Sequence, residues 1–252
     1  MKREINLEKF YTKIDTVKYC ISKIDLKNYD TIIEPSAGNG SFSNLLNCVA
    51  FDIEPENNNI IKADFLKLSI EKKEKILVIG NPPFGRQSNL AIKFINHAAT
   101  FADTIAFVLP LSFKKESMIK KLNNHLHLTN VYDLSKNAFY YANKDFDIPC
   151  AFFIFKYKKE LREKFKKYQT EDFKFVNKEK ADYSIRRVGY YAGKIENLNV
   201  SKESHYFIKD YNNALNILRK LKYQSALDTV GARSISKNEI VKEYLKQKDL
   251  TN

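Results

Sequence analysis

The 252-residue chain carries 43 basic and 30 acidic side chains, a formal net charge of +13, with 44% hydrophobic residues. That length supports a real core, and no run of 18 uninterrupted apolar residues offers a membrane span. The start, MKREINLEKF, has no apolar segment behind its charges, so no secretory leader is expected, and Cys20, Cys48 and Cys150 lack metal or disulfide spacing, which suits a reducing intracellular compartment.

The positive charge has two readings. It can mark a nucleic-acid partner, or it can follow from a composition crowded with Lys, Asn, Ile and Tyr. Most of it is lysine spread along the chain rather than arginine gathered in one motif. No repeat of 20–50 residues is present.

Residues 1–28 read as a helical lead-in, with Phe10, Ile14, Val17 and Ile21 at helical spacing. Strands and helices then alternate. Residues 30–34 form a first strand, followed by the turn PSAGNG and a short helix through Leu46. Strands follow at 48–54, 59–65 and 74–80, then a helix at 89–102 and a strand at 103–110. A helix at 115–126 precedes strands at 128–135 and 148–158. This alternation, with near-continuous apolar strands, predicts an α/β fold whose mostly parallel sheet is covered on both faces. Past Lys158 comes a charged helix or linker, 158–169. Short strands within 173–195 and at 205–210 and helices at 212–224 and 236–248 follow. The boundary falls at 1–158 and 159–252, the second part a small basic α+β elaboration.

In such a sheet, ligands meet the carboxyl ends of the strands, so the residues just past each strand carry the information. The first strand ends in EPSAGNG, whose Gly38 and Gly40 beside small Ser36 and Ala37 let a ligand approach the backbone. The pattern is neither a dinucleotide fingerprint nor a phosphate-binding loop with its Lys-Ser/Thr. Asp52, with Glu54 as second choice, ends the second strand, where an acid typically holds a ribose diol. Asp64 can accept from an exocyclic amine or cap a helix, and Phe65 beside it can pack on an adenine ring. The fourth strand stops in GNPPFG, a stiff loop because proline fixes φ.

The set EPSAGNG, FDIEP, ADF and GNPPFG resembles the S-adenosylmethionine-dependent amino-methyltransferases that act on N6 of adenine. The Phe-Tyr-Thr segment at 10–12 is similar to one that precedes the glycine turn in γ-class adenine-N6 DNA methyltransferases and helps cover the cofactor. Lys13 stands where that family usually has proline. The resemblance covers roughly residues 10–157 and implies a Rossmann-like, seven-stranded methyltransferase sheet. By match, the Asn81 amide and the Pro82 carbonyl accept the two protons of the target amine. Pro83 stiffens the loop, and Phe84 stacks on the target ring. Phe10, Thr12, Glu34, Ser36, Gly38, Gly40, Asp52, Asp64, Phe65 and Asn81 would then hold S-adenosylmethionine. The implied activity is N6-adenine methylation of nucleic acid, DNA first and RNA second, with a recognition subunit as a possible partner because only about ninety residues follow the seventh strand. A protein glutamine methyltransferase, which usually has Tyr at the position of Phe84, and a non-catalytic cofactor-binding module are the alternatives.

Other candidates are open to a structural explanation. Phe113, after the fifth strand, can reach the pocket or fill the core. Cys150 opens an apolar strand, where a small core residue is expected rather than a nucleophile. The four histidines show no zinc pattern. In SIRRVGYYAGKI, Arg186 and Arg187 can bind phosphate beside stacking tyrosines, or lie on a solvated strand face. Ser236 and Glu239 form a capping-box pattern.

Overall fold

The structure, a computed structural model, describes residues 10–72, 74–141, 144–223 and 233–250. The first nine residues of the expected lead-in and Gln224, the last residue of the expected 212–224 helix, lie outside them. The chain divides into two compact units, residues 1–163 and 164–252.

The first unit contains, in order, β1 (Tyr11–Thr12), α1 (Ile14–Ile21), β2 (Thr31–Glu34), β3 (Val49–Asp52), β4 (Ile61–Lys62), β5 (Ile76–Gly80), α2 (Asn89–Ala98), β6 (Thr104–Pro110), α3 (Glu116–Ile119), β7 (Leu126–Asp133), β8 (Phe139–Tyr141), β9 (Lys144–Phe146) and β10 (Cys150–Tyr157). Seven strands form one sheet in the order β4-β3-β2-β5-β6-β10-β7. The first five run parallel, and β10 is antiparallel to both neighbours. This is the expected Rossmann-like, seven-stranded, mostly parallel sheet. Every residue of β5 and β6 is buried, which is why both read as unbroken apolar runs. In β10, Phe152 lies between Val108 of β6 and Tyr132 of β7. Phe152, Phe153 and Phe155 are fully buried, and burying one such ring stabilises the fold by about 2–3 kcal/mol.

The lead-in departs from expectation. Phe10 to Thr12 are not helical; Tyr11 and Thr12 form β1, which joins a small sheet in the order β1-β8-β9. α1 begins at Ile14, which is 57% exposed, and buries Thr16, Val17 and Cys20. The inward face is therefore shifted from the spacing that includes Phe10 and Ile14, because strand pairing with β8 claims the segment before the helix. The short helix expected through Leu46 is a run of turns. The Ser43 N–H donates to the Glu34 carboxylate at 2.7 Å instead of to Asn39 O, and the Asn44 side chain takes that carbonyl at 3.4 Å. Such local polar side chains compete with helix formation. The helix expected at 115–126 shortens to the four residues of α3. Residues 158–169 contain no helix; Arg162 there donates to the carbonyls of Leu126 at 2.8 Å and Ile119 at 3.0 Å.

The second unit is α+β. Strands β11 (Phe173–Val176), β12 (Tyr183–Arg186), β13 (Ile195–Glu196) and β14 (His205–Asp210) form an antiparallel sheet in the order β11-β14-β12-β13, with α4 (Leu215–Leu218) and α5 (Lys237–Asp249). The capping box forms as read: Glu239 N–H donates to Ser236 Oγ at 3.2 Å, and Ser236 N–H to the Glu239 carboxylate at 2.7 Å. α5 buries Ile240, Val241 and Tyr244 in a core with Phe173, Ile185 and Ile208.

Candidate functional site

The parallel strands of the first unit end on one edge, and the segments after them enclose a cavity of about 330 Å³. The segment at β1 contributes Phe10 and Thr12. The turn after β2 contributes Ser36 and Gly38, with Glu34 closing the strand itself. Asp52 comes from the end of β3, Asp64 and Phe65 from the turn after β4, and Asn81, Pro82, Pro83 and Phe84 from the loop after β5.

The remaining candidates lie elsewhere. Gly40 has φ of +87° and shapes its turn, but is not among the residues lining the cavity. Phe113 is fully buried, its ring 6.1 Å from that of Phe153, and does not line the cavity either. The 3-10 turn Leu111–Lys114 places it in the core. Arg186 and Arg187 belong to the second unit. Arg186 pairs with Glu196 at 3.5 Å, and Arg187 donates to Glu203 O at 3.0 Å. Cys150 is buried, and burial pushes its thiol far above the ordinary range.

Hydrogen bonds tie the loops together. Ser36 Oγ donates to the backbone oxygen of Asn81 at 3.2 Å, joining the first turn to the proline loop. Asp52 accepts the Gly38 N–H at 2.7 Å with one oxygen and the Glu54 N–H at 2.8 Å with the other. Each oxygen keeps a further lone pair for a ligand hydroxyl. Asp64 caps the 3-10 turn by accepting the Leu66 N–H at 3.1 Å and pairs with Lys67 at 3.3 Å. Phe65 is 1% exposed and stacks on Phe94 at 5.3 Å, so its ring is largely committed to the protein.

Asn81 is the informative residue. Its Nδ2 donates to the Phe10 carbonyl at 3.3 Å, which assigns the amide orientation. Its Oδ1 is buried with no hydrogen-bond partner. Leaving a buried acceptor unpaired costs about 1–3 kcal/mol, so such an atom in a cavity wall marks a place for an incoming donor. Thr12 Oγ1 is a second buried polar atom without a partner.

The cavity's electrostatics oppose those of the chain. Glu34, Asp52, Glu54, Glu56 and Asp64 line it, and no Lys, Arg or His is among the described lining residues. Glu34 is 2% exposed; burial pushes its carboxyl up to about 7, against the opposing hydrogen bond from the Ser43 N–H. A site of this sign favours a cation and disfavours phosphates.

Several lining residues were not picked out from the sequence. The Tyr11 hydroxyl donates to the Glu56 carboxylate, and its ring lies 3.4 Å from where a side chain at Gly38 would begin. Burial, then Glu56, raises the Tyr11 phenol far above its ordinary value. Ile53 lines the cavity between two acids and is 46% exposed. A detectable signal was an apolar residue just past the end of a strand, where solvation would favour a polar one.

No family model matches the chain. It is similar to the Type II methyltransferases M.HincII and M.HindII, both from Haemophilus influenzae. Each is 32% identical over 98 aligned residues, which cover 35% of this chain. The chain spans 19% of the length of either relative. Among solved structures it is similar to the 23S rRNA methyltransferase ErmE, with a TM-score of 0.43 at 17% identity, covering 62% of this chain and 73% of that one.

Proposed function

We propose that the first unit transfers a methyl group from S-adenosylmethionine to the exocyclic N6 of adenine in nucleic acid, with DNA the preferred polymer. The carrying observation is the Asn81 amide oxygen, buried and unpartnered in a cavity wall, on a loop stiffened by Pro82 and Pro83. An aromatic amine is a poor nucleophile because its lone pair is delocalised into the ring. Two acceptors aimed at its protons favour the pyramidal nitrogen and return that pair to it. Asn81 Oδ1 and the Pro82 carbonyl take these roles, and Phe84, which lines the cavity, packs on the target ring. Acceptors fixed in advance need no reorganisation during the reaction, and positioning supplies the rest. The proton lost from nitrogen passes to solvent. A base in a stacked strand must first be extruded to reach such a pocket.

The cavity fits the cofactor on its own terms. S-adenosylmethionine carries a sulfonium and an ammonium against one carboxylate, a net positive ligand that suits the acid-lined cavity, its carboxylate being left to backbone N–H groups and solvent. Asp52 would hold the ribose hydroxyls, Ile53 and Leu66 would flank the adenine, and Glu34 would meet the positive end. When bound, the cofactor supplies an electrophilic methyl group. The partial likeness to two Type II methyltransferases supports methyl transfer as the chemistry; the preference for DNA rests on the order of the sequence motifs.

The test is label transfer from tritiated S-adenosylmethionine to duplex DNA, single-stranded DNA and structured RNA in parallel, with nucleoside analysis. Label in N6-methyladenine is expected, greatest in DNA. Label in RNA alone would move the substrate class. No label in any polymer, with the cofactor bound, would overturn the reading in favour of a protein amide or a binding module.

A further inference from the structure

The second unit has a surface that the methyl-transfer site does not use. The turn at residues 189–193 presents Tyr190 and Tyr191, 71% and 57% exposed, with rings edge-to-face at 5.1 Å. Gly193 lets this turn lie against the buried Tyr223. A side chain there would come within 2.4 Å of the Tyr223 ring, and the glycine φ is +99°. Beside the turn lies an open cavity of about 700 Å³, lined among others by Tyr191, Lys194, Arg219, Lys222, Tyr223 and Arg233. No acid is among the described lining residues. Arg233 holds its guanidinium 4.7 Å from the Tyr190 ring centre, and Lys194 its ammonium 5.4 Å from that of Tyr191. Lys194 lies 3.8 Å from Glu196, which also pairs with Arg186. Arg219 and Lys222, both exposed, therefore contribute strongly to the field over the cavity.

We propose that this cation-lined, tyrosine-edged cavity is a docking surface for single-stranded nucleic acid. Four cations track a phosphodiester backbone, while exposed tyrosine faces stack unpaired bases. A duplex hides those base faces, and an acidic peptide would use the tyrosine hydroxyls rather than their ring faces. The surface deepens the methyl-transfer reading, resting on its nucleic-acid substrate and naming the polymer's form. It also moves the contact role away from Arg186 and Arg187, whose guanidiniums are engaged by Glu196 and by the Glu203 carbonyl.

The experiment titrates the full chain into labelled oligothymidine, which contains no adenine and so no methyl acceptor. Fluorescence anisotropy is followed over a salt series. Tyr190→Ala/Tyr191→Ala should weaken binding about tenfold or more, and Tyr190→Phe/Tyr191→Phe should restore it, because the ring and not the hydroxyl stacks. Arg219→Gln/Lys222→Gln should flatten the log–log salt dependence by about 1.4, the effect of two lost phosphate contacts on a single strand. All substituted side chains are exposed, and unchanged melting temperatures would show an intact fold. Equal affinity and equal salt slope in all four proteins would overturn the proposal, as would tighter binding of a matched duplex. Loss of oligothymidine binding in the variants, with no methyl transfer to any polymer by the parent, would leave this surface standing and remove the catalytic reading. N6 methylation by the parent with identical oligothymidine binding in every variant would do the reverse.

Discussion

Asn81 can act as an acceptor because its other end is already engaged. With Nδ2 donating to Phe10, the oxygen cannot rotate away without breaking that bond. Under the proposed function, Asn81→Ala should lower kcat about 10²–10³-fold, the usual cost of deleting one preorganised hydrogen-bonding group. Cofactor affinity, read by calorimetry, should fall far less than kcat; an equal loss with the fold intact would make Asn81 a cofactor residue rather than the acceptor for the target amine. Asp52 has two duties, since its carboxylate also holds two backbone amides. Asp52→Ala should therefore weaken cofactor binding and lower stability together, by about 1–3 kcal/mol for the latter. Unchanged affinity would pass the ribose role to Glu54. Glu34 sets a pH dependence. The fold holds its proton more tightly than the unfolded chain does, so its contribution to stability is fully present below the ordinary 4.5 and lost as pH rises through about 7. A cationic ligand selects the ionised form. Cofactor binding should then strengthen as pH rises through about 7 and release a proton. Calorimetry in two buffers of different ionisation enthalpy would detect it, and buffer-independent heats would remove Glu34 from the site.

At the scale of elements, the proline loop is held at its far end by backbone that other residues rarely adopt. Gly85 has φ of +67°, and a side chain there would come 2.9 Å from Leu90 Cβ. Gln87 and Ser88 follow at φ of 55° and 59°, before α2 begins. Gly85→Ala should cost about 1–3 kcal/mol in a urea melt. It should also slow methyl transfer, because the loop must shift away from Leu90. An unchanged melt would show that the loop relaxes freely. The buried β5 and β6 were legible in the sequence as unbroken apolar runs. β1 and its partners β8 and β9 were not, since Tyr11 meets Tyr140 and Thr12 meets Phe139 across more than a hundred residues. Local periodicity carries no record of such a pairing, and Phe10 was drawn into the helix beside it.

At the scale of the molecule, charge is partitioned: the chain is strongly basic while the cavity of the first unit is lined by acids. The second unit has its own anchor in Asp172, which is buried and accepts from Lys248 at 2.6 Å, Tyr244 at 2.9 Å and Asn212 at 2.9 Å. The Lys248 ammonium holds this carboxyl well below the usual carboxylate range. Its contribution is present above the ordinary 3.8 and is lost as pH falls below it. Asp172→Ala should destabilise this unit by about 2 kcal/mol, because the buried Tyr244 hydroxyl loses its acceptor. Thermal unfolding would show a lowered midpoint; no change would mean that water replaces the carboxylate.

Strand order along the chain, the acidic residue that ends β3, the stiff loop after β5 and the cap of α5 are local matters. They follow from runs, spacings and backbone restrictions within a few residues, and the sequence carries them openly. The free end of Asn81, the acidity of the cavity, the Tyr11–Glu56 contact across it and the cations gathered beside Tyr191 come from residues far apart in the chain. Which polar atoms meet a partner, and which charges share a wall, depends on burial and long-range pairing, so these features arose only when the chain was folded.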